Sequence, residues 1–88
     1  MGMNPVTESQ NATNITSTTT IHTGPCSILG IFVSSASNTP TIKVADGGAT
    51  LANTFTPVAA TWYPLPFNCG TSLVVTISGT VDCCVSWH

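Results

Sequence analysis

The sequence predicts an all-β fold, namely a small antiparallel β-sandwich or jelly-roll-like domain with an extended N-terminal arm. Short apolar stretches rich in β-branched residues recur along the chain, and turn-forming residues separate them about every 8–12 positions. No stretch has the apolar period of a helix. About six or seven short strands with such turns are typical of a sandwich.

Residues 26–34 are the longest apolar stretch, and we expect the sheet to form around this strand. A Gly-Pro pair precedes it and a small polar segment follows it, so breakers flank it on both sides. With strict alternation, Ile28 and Phe32 would point to one face of the sheet. The other face would carry three expected core or oligomer anchors, Leu29, Ile31 and Val33. Both faces would then be apolar, and such a strand needs cover on both.

A hairpin follows this strand. Segment 41–45 alternates and ends at an Asp-Gly-Gly turn that begins with Asp46, and segment 50–55 forms the return strand. Segment 61–67 contains two prolines. A proline has no backbone N–H to donate to a neighbouring strand, so we expect an irregular or edge strand.

The last two apolar segments, 73–77 and 81–87, predict a second hairpin around the Ser-Gly-Thr turn at 78–80. In both segments every second residue is apolar, which defines an inward face. The inward residues are Leu73, Val75, Ile77, Val81, Cys83, Val85 and Trp87.

The chain begins with a polar stretch that we assign as an arm, residues 1–21, before a β-sandwich domain at 22–88. Mostly Thr, Ser, Asn and Gln, it has too few apolar residues for a core of its own. Thr-rich sequence forms strands when an edge is offered, so the arm is either a frayed terminus or a segment ordered by a partner. Its expected contact residues are Val6, Ile15 and Ile21.

The charge of the chain restricts its partners. It has a single Lys, no Arg and a net charge of −2, so it lacks the cations that neutralise nucleic-acid phosphates. No run of about 18 apolar residues is present to span a membrane, and the start lacks a signal-peptide pattern. So few charges give a free monomer little protection against aggregation. We therefore expect much of its surface to be covered by association.

Four cysteines in so small a chain raise the question of disulfides. Their spacing fits no common zinc motif. Cys83 and Cys84 are adjacent, so in a strand they face opposite sides. One arrangement bonds an outward Cys84 to Cys69 or to Cys26 and leaves Cys83 buried. In the alternative, all four remain reduced, as in a cytoplasmic protein.

No catalytic constellation is evident, and no cofactor is expected. The two histidines have no acid and nucleophile grouped around them, and a carboxylate pair would require Asp46 and Asp82 to meet through folding alone. The aromatic residues Trp62, Tyr63 and Trp87 would be core or interface anchors, or a surface on which a sugar ring stacks.

Four parts of the chain share strand and turn patterns with a known family: the segment from Gly24 to Val33, the segment 41–47, the turn Phe67-Asn68-Cys69-Gly70 with the strand after it, and the closing Val85-Ser86-Trp87. Together they resemble small β-sandwich virion proteins of tailed bacteriophages. This resemblance covers about two-thirds of the chain and consists of strand and turn patterns. It implies a sandwich that decorates the capsid, commonly as a trimer.

The expected function is therefore that of a non-enzymatic capsid decoration or cement protein on the outer surface of a phage head. Its partners would be the major capsid protein and sister subunits of a homotrimer, with no nucleic acid and no membrane. The alternative is a small carbohydrate- or receptor-binding domain of a phage fibre or tail. Exposure and clustering of Trp62, Tyr63 and Trp87 would favour the alternative, and their burial would favour cement.

Overall fold

A computed structural model describes residues 11–88, which form six strands and no helix. The strands are β1 (Asn11–Ile15), β2 (Thr19–Thr23), β3 (Cys26–Asp46), β4 (Ala49–Phe55), β5 (Thr61–Cys69) and β6 (Ser72–Trp87). Every strand pair is antiparallel. The all-β class predicted from the sequence is confirmed.

Two long strands, β3 and β6, pair with each other along most of their length and form the centre of the sheet. The outer side of β6 pairs with β1 near its end and with β2 near its start. The outer side of β3 pairs with β5 near its start and with β4 near its end. The sheet thus has a β1/β5 half and a β2/β4 half, and both halves share the two central strands.

The two halves meet where the central pair is irregular. Between Ser37 and Thr41 of β3 the register shifts, and Asn38 and Thr39 have positive φ angles of 59° and 55°. Opposite them Gly79 has a φ of 78°, and a Cβ there would lie 2.6 Å from the carbonyl oxygen of Asn38. The hairpin predicted at 78–80 is wrong, because β6 continues through this glycine alongside the bend in β3.

One core takes side chains from both halves. Its buried members are Ile15, Ile28, Ile31, Val33, Ile42, Val44, Cys69, Leu73, Val75, Val81, Cys83 and Val85. Ring contacts also cross between the halves, since Phe55 of β4 packs on Tyr63 of β5 and His22 of β2 on Trp87 of β6, each pair with ring centroids 5.0 Å apart. The halves therefore cover each other's inner faces. The sandwich or jelly-roll arrangement stays a prediction, because hydrogen bonds join all six strands into one sheet.

A bulge changes which residues of β3 face the core. Ile28 pairs with Trp87 and Gly30 with Ser86, which leaves Leu29 as an extra residue. A single inserted residue reverses the alternation beyond it. Ile28 therefore lies on the inner side with the fully buried Ile31 and Val33, whereas Phe32 faces outward and Leu29 is half-buried. The predicted grouping of Ile28 with Phe32 is wrong for this reason.

The predicted arm belongs to the sheet over the residues that the structure describes. β1 and β2 pair with β6, Ile15 is only 5% exposed, and the half-buried Ile21 packs against the core. The Thr-rich sequence does pair with the edge of a strand, as expected, but that strand is β6 of its own chain. The boundary after residue 21 thus falls inside β2, and Ile15 is buried in the chain's own core, where it cannot contact a capsid. Val6 lies outside the described residues.

Candidate functional site

An exposed apolar row crosses the outer face of the β1/β5 half. Phe32 of β3 pairs with Trp62 of β5 on one side and with Cys84 of β6 on the other. Phe32 is 42% exposed and Trp62 is 48% exposed, and with Val58 they are the large hydrophobic residues exposed among residues 11–88. We call Phe32 and Trp62 the aromatic row. Two large exposed side chains on neighbouring strands are a typical feature of a contact surface.

Gly30 determines how Trp62 lies on this face. A Cβ on Gly30 would lie 2.5 Å from Cη2 and Cζ2 of Trp62 and 2.5 Å from the carbonyl oxygen of Tyr63. The indole therefore occupies the space that a side chain at position 30 would need. Sequence reasoning missed this role, although a glycine inside an apolar strand is a known sign of a close approach.

The three aromatic residues considered together in the sequence are not one cluster. Tyr63 points inward from β5, packs on Phe55, and its hydroxyl accepts a hydrogen bond of 2.8 Å from the backbone N–H of Val58. Trp87 of β6 packs on His22 of β2, and its indole N–H donates to Thr13 Oγ1 over 3.1 Å. Trp62 alone points outward. Exposure and clustering of these three residues would have favoured a carbohydrate- or receptor-binding domain. Trp62 is exposed, but the three residues are not clustered.

Asp46 connects two turns. Its Oδ2 accepts the backbone N–H of Gly70 over 2.9 Å, and its Oδ1 accepts those of Thr71 and Ser72 over 2.8 and 3.1 Å. These hydrogen bonds, with Gly70 contributing most, hold the pKa of the Asp46 carboxyl below its ordinary value. The carboxylate thus ties the β3–β4 turn to the β5–β6 turn. The sequence predicted turn chemistry here but gave no sign of the partners, which lie more than 20 positions away.

Cys26 and Cys69 are direct partners in the β3–β5 register. They line an open pocket at this end of the sheet together with Pro25, Ser27, Asn68 and His88. Burial raises the pKa of both thiols, that of Cys69 to about 11. All four cysteines are free thiols in this structure.

Cys84 lies far from this pair. It is opposite Phe32, six positions along β3 from Cys26, whereas the residue opposite Ser27 is His88, which directly follows β6. Six residues of a strand span roughly 20 Å, well beyond the reach of a disulfide. The register therefore does not support the predicted bond from Cys84 to Cys26 or to Cys69. Cys83 is fully buried in the core, where burial raises the pKa of its thiol to about 11.

Asp46 and Asp82 do not form the carboxylate pair that was considered from the sequence. Asp46 lies at one end of the central strand pair, opposite Leu73, and Asp82 lies near its middle, opposite Ser35. The Asp46 oxygens accept hydrogen bonds from backbone N–H groups. Within residues 11–88, no three His, Cys, Asp or Glu side chains are placed to hold a metal ion. The same residues contain no helix long and apolar enough to cross a membrane.

In comparisons with known proteins, no family model, curated protein or solved structure matches this chain.

Proposed function

We propose that this chain is a non-enzymatic structural protein of a phage particle, a decoration or cement protein that binds the outer surface of the capsid. The observation that carries the proposal is the aromatic row, Phe32 beside Trp62, exposed on a small sheet that has almost no charge. Large aromatic side chains at the centre of a contact surface supply most of the binding energy of many interfaces. The assignment to a phage particle rests on the resemblance to small virion proteins described in the sequence analysis.

In this proposal the folded sheet is a rigid block, and the aromatic row is covered when subunits associate. The inner faces of both halves are already used by the shared core, so the outer face of the β1/β5 half is where a partner finds apolar surface. The assembled homotrimer would contact the major capsid protein. This differs from attachment through an arm, because β1 and β2 are part of the block.

The direct test is the location of the protein in purified phage. Heads and tails are separated, and the chain is quantified in each fraction by mass spectrometry. A regular copy number in the head fraction supports decoration. Its presence only in tails refutes the capsid role, and its absence from particles refutes a virion role altogether.

A second test concerns association through the aromatic row. The double variant Phe32→Ser with Trp62→Ser should sediment as a monomer, while the wild type sediments as a closed oligomer. Val58→Ser is the matched control, because Val58 is 61% exposed and lies between β4 and β5, outside the row. A wild type that stays monomeric at tens of micromolar, roughly the range of weak interfaces, would contradict the proposal. So would a folded double variant that associates as the wild type does.

A glycan-binding domain of a fibre or tail is the second candidate, and the exposure of Trp62 favours it. An exposed indole is a surface on which a sugar ring can stack. Titration with a panel of oligosaccharides, followed by tryptophan fluorescence, separates the two candidates. Saturable quenching that Trp62→Ala removes and Val58→Ser retains would support glycan binding.

A further inference from the structure

The ends of β3 and β5 bring two thiols together at a regular position of the sheet. Cys26 is paired with Cys69, and the adjacent pairs, Ser27 with Asn68 and Ile28 with Phe67, follow without a shift. The Ser27 hydroxyl donates a hydrogen bond of 2.7 Å to Asn68 Oδ1, which holds the neighbouring pair in place. Directly opposed residues of antiparallel strands have Cα atoms about 4.5–5.5 Å apart, within the range that a disulfide spans.

We propose that Cys26 and Cys69 form a reversible intramolecular disulfide when the protein meets a small-molecule disulfide of the glutathione type. The Cys26 thiolate attacks one sulfur of the oxidised glutathione, giving a mixed disulfide and releasing one glutathione thiolate. The Cys69 thiolate then attacks Cys26 Sγ and releases the second glutathione. Two protein thiols are oxidised, one glutathione disulfide is reduced to two thiols, and the two thiol protons of the protein end on the released thiolates.

Accessibility determines the order of these steps. Cys26 is half-buried and lines the open pocket, whereas Cys69 is 3% exposed. A bulky disulfide therefore reaches Cys26 first, and Cys69 is held beside it as the resolving thiol. Burial raises the pKa of both groups, and the thiolate is the reactive form. The exchange is accordingly slow at neutral pH and becomes faster as the pH rises.

The other two cysteines do not compete for the bond. Cys83 is fully buried in the core, and Cys84 lies on the outer face beside Phe32, six positions along β3 from Cys26. Neither can reach the pocket while the central strands remain paired. The bond would thus be specific to one pair among four thiols, and it would tie the start of β3 to the end of β5.

The two aspartates among residues 11–88 allow the pairing to be read from the wild-type protein. Cleavage before Asp46 and Asp82 gives fragments 1–45, 46–81 and 82–88, which carry Cys26, Cys69 and the Cys83–Cys84 pair respectively. The folded protein is incubated with oxidised glutathione at pH 8, alkylated under denaturing conditions and digested with an Asp-specific protease. No variant is needed, so a folding defect cannot obscure the result.

The proposal predicts that 1–45 and 46–81 are joined, with the mass of two hydrogens lost, while 82–88 is separate and carries two alkyl groups. A reducing agent added before alkylation should release three alkylated fragments. A Cys84→Ser variant should retain the link. Three separate fragments after oxidation, a link to 82–88, a glutathione that stays on Cys26, or a covalent dimer on a non-reducing gel would each overturn the proposal.

Discussion

Replacing Gly30 by Ala tests whether the close packing of Trp62 on Gly30 contributes to the stability of the sheet. An added Cβ would meet two indole carbons and the Tyr63 carbonyl oxygen at 2.5 Å. The indole can swing aside, but the carbonyl belongs to the backbone of a strand that is hydrogen-bonded to β3. The substitution must therefore displace Trp62 and also distort the bulge between β3 and β5.

The matched control is Gly48→Ala, because a Cβ at Gly48 has no atom within 4 Å and neither glycine has a positive φ. Both substitutions reduce the freedom of the unfolded chain, which alone stabilises by about 0.4–1 kcal/mol. Gly30→Ala adds overpacking, which typically costs about 1–3 kcal/mol. The difference between the two variants should be close to that overpacking cost. For a domain of this size, each kcal/mol lowers Tm by about 4–8 °C.

Thermal unfolding followed by far-ultraviolet circular dichroism measures this difference, since it does not depend on the tryptophan signal. Tryptophan emission and its quenching by acrylamide then report whether Trp62 has moved into solvent. If Gly30→Ala unfolds within about 0.5 kcal/mol of Gly48→Ala, the ordinary range for a neutral surface change, the close packing of Trp62 on Gly30 is refuted.

Two further predictions concern β1 and the carboxylate between the turns. Ile15→Ala should lower the free energy of unfolding by about 2–5 kcal/mol in urea denaturation, as for a core isoleucine. The exposed control Val58→Ala should change it by less than about 0.5 kcal/mol, and an equally small effect of Ile15→Ala would return β1 to the status of an arm. Asp46→Asn should destabilise the protein near pH 7. Because the folded pKa is lowered, the contribution of the carboxylate is present above the unfolded pKa, near 4, and is lost as the pH falls through the folded pKa, so wild type and variant should converge in acid. A difference that is unchanged down to pH 2 would contradict this role.

The sequence predicted the features that depend on neighbouring residues. The Asp46-Gly47-Gly48 turn joins β3 to β4, with Gly47 at a φ of 58°. Among the strands of residues 11–88, β5, with its two prolines, pairs only with β3. The alternation in β6 holds on both sides of its bend, since Val75 and Val85 are both fully buried. Turn chemistry and the two-residue period are local properties, so the chain itself carries them.

Features that depend on distant residues could not be predicted. A bulge at Leu29 has no sequence mark, yet it places Ile28 and Phe32 on opposite faces of the sheet. Asn38 and Thr39 looked like the end of a strand, but their positive φ angles bend one that continues. The pairing of Cys26 with Cys69 follows from strand order, which alternation does not determine.

The sharing of β3 and β6 between the two halves has a consequence for how the protein folds. Each of the other four strands described in residues 11–88 is hydrogen-bonded to one of these two, so within that range neither half has a sheet of its own that could persist when the central pair separates. Along that pair, Asp46 and Leu73 are 27 positions apart in the chain, whereas Ile28 and Trp87 are 59 positions apart. The shorter loop loses less entropy on closing, which favours pairing that starts beside the Asp46 turn and proceeds toward the cysteine pocket. The halves should then gain and lose amide-exchange protection together, and two separable classes of protected amides would show that they fold independently.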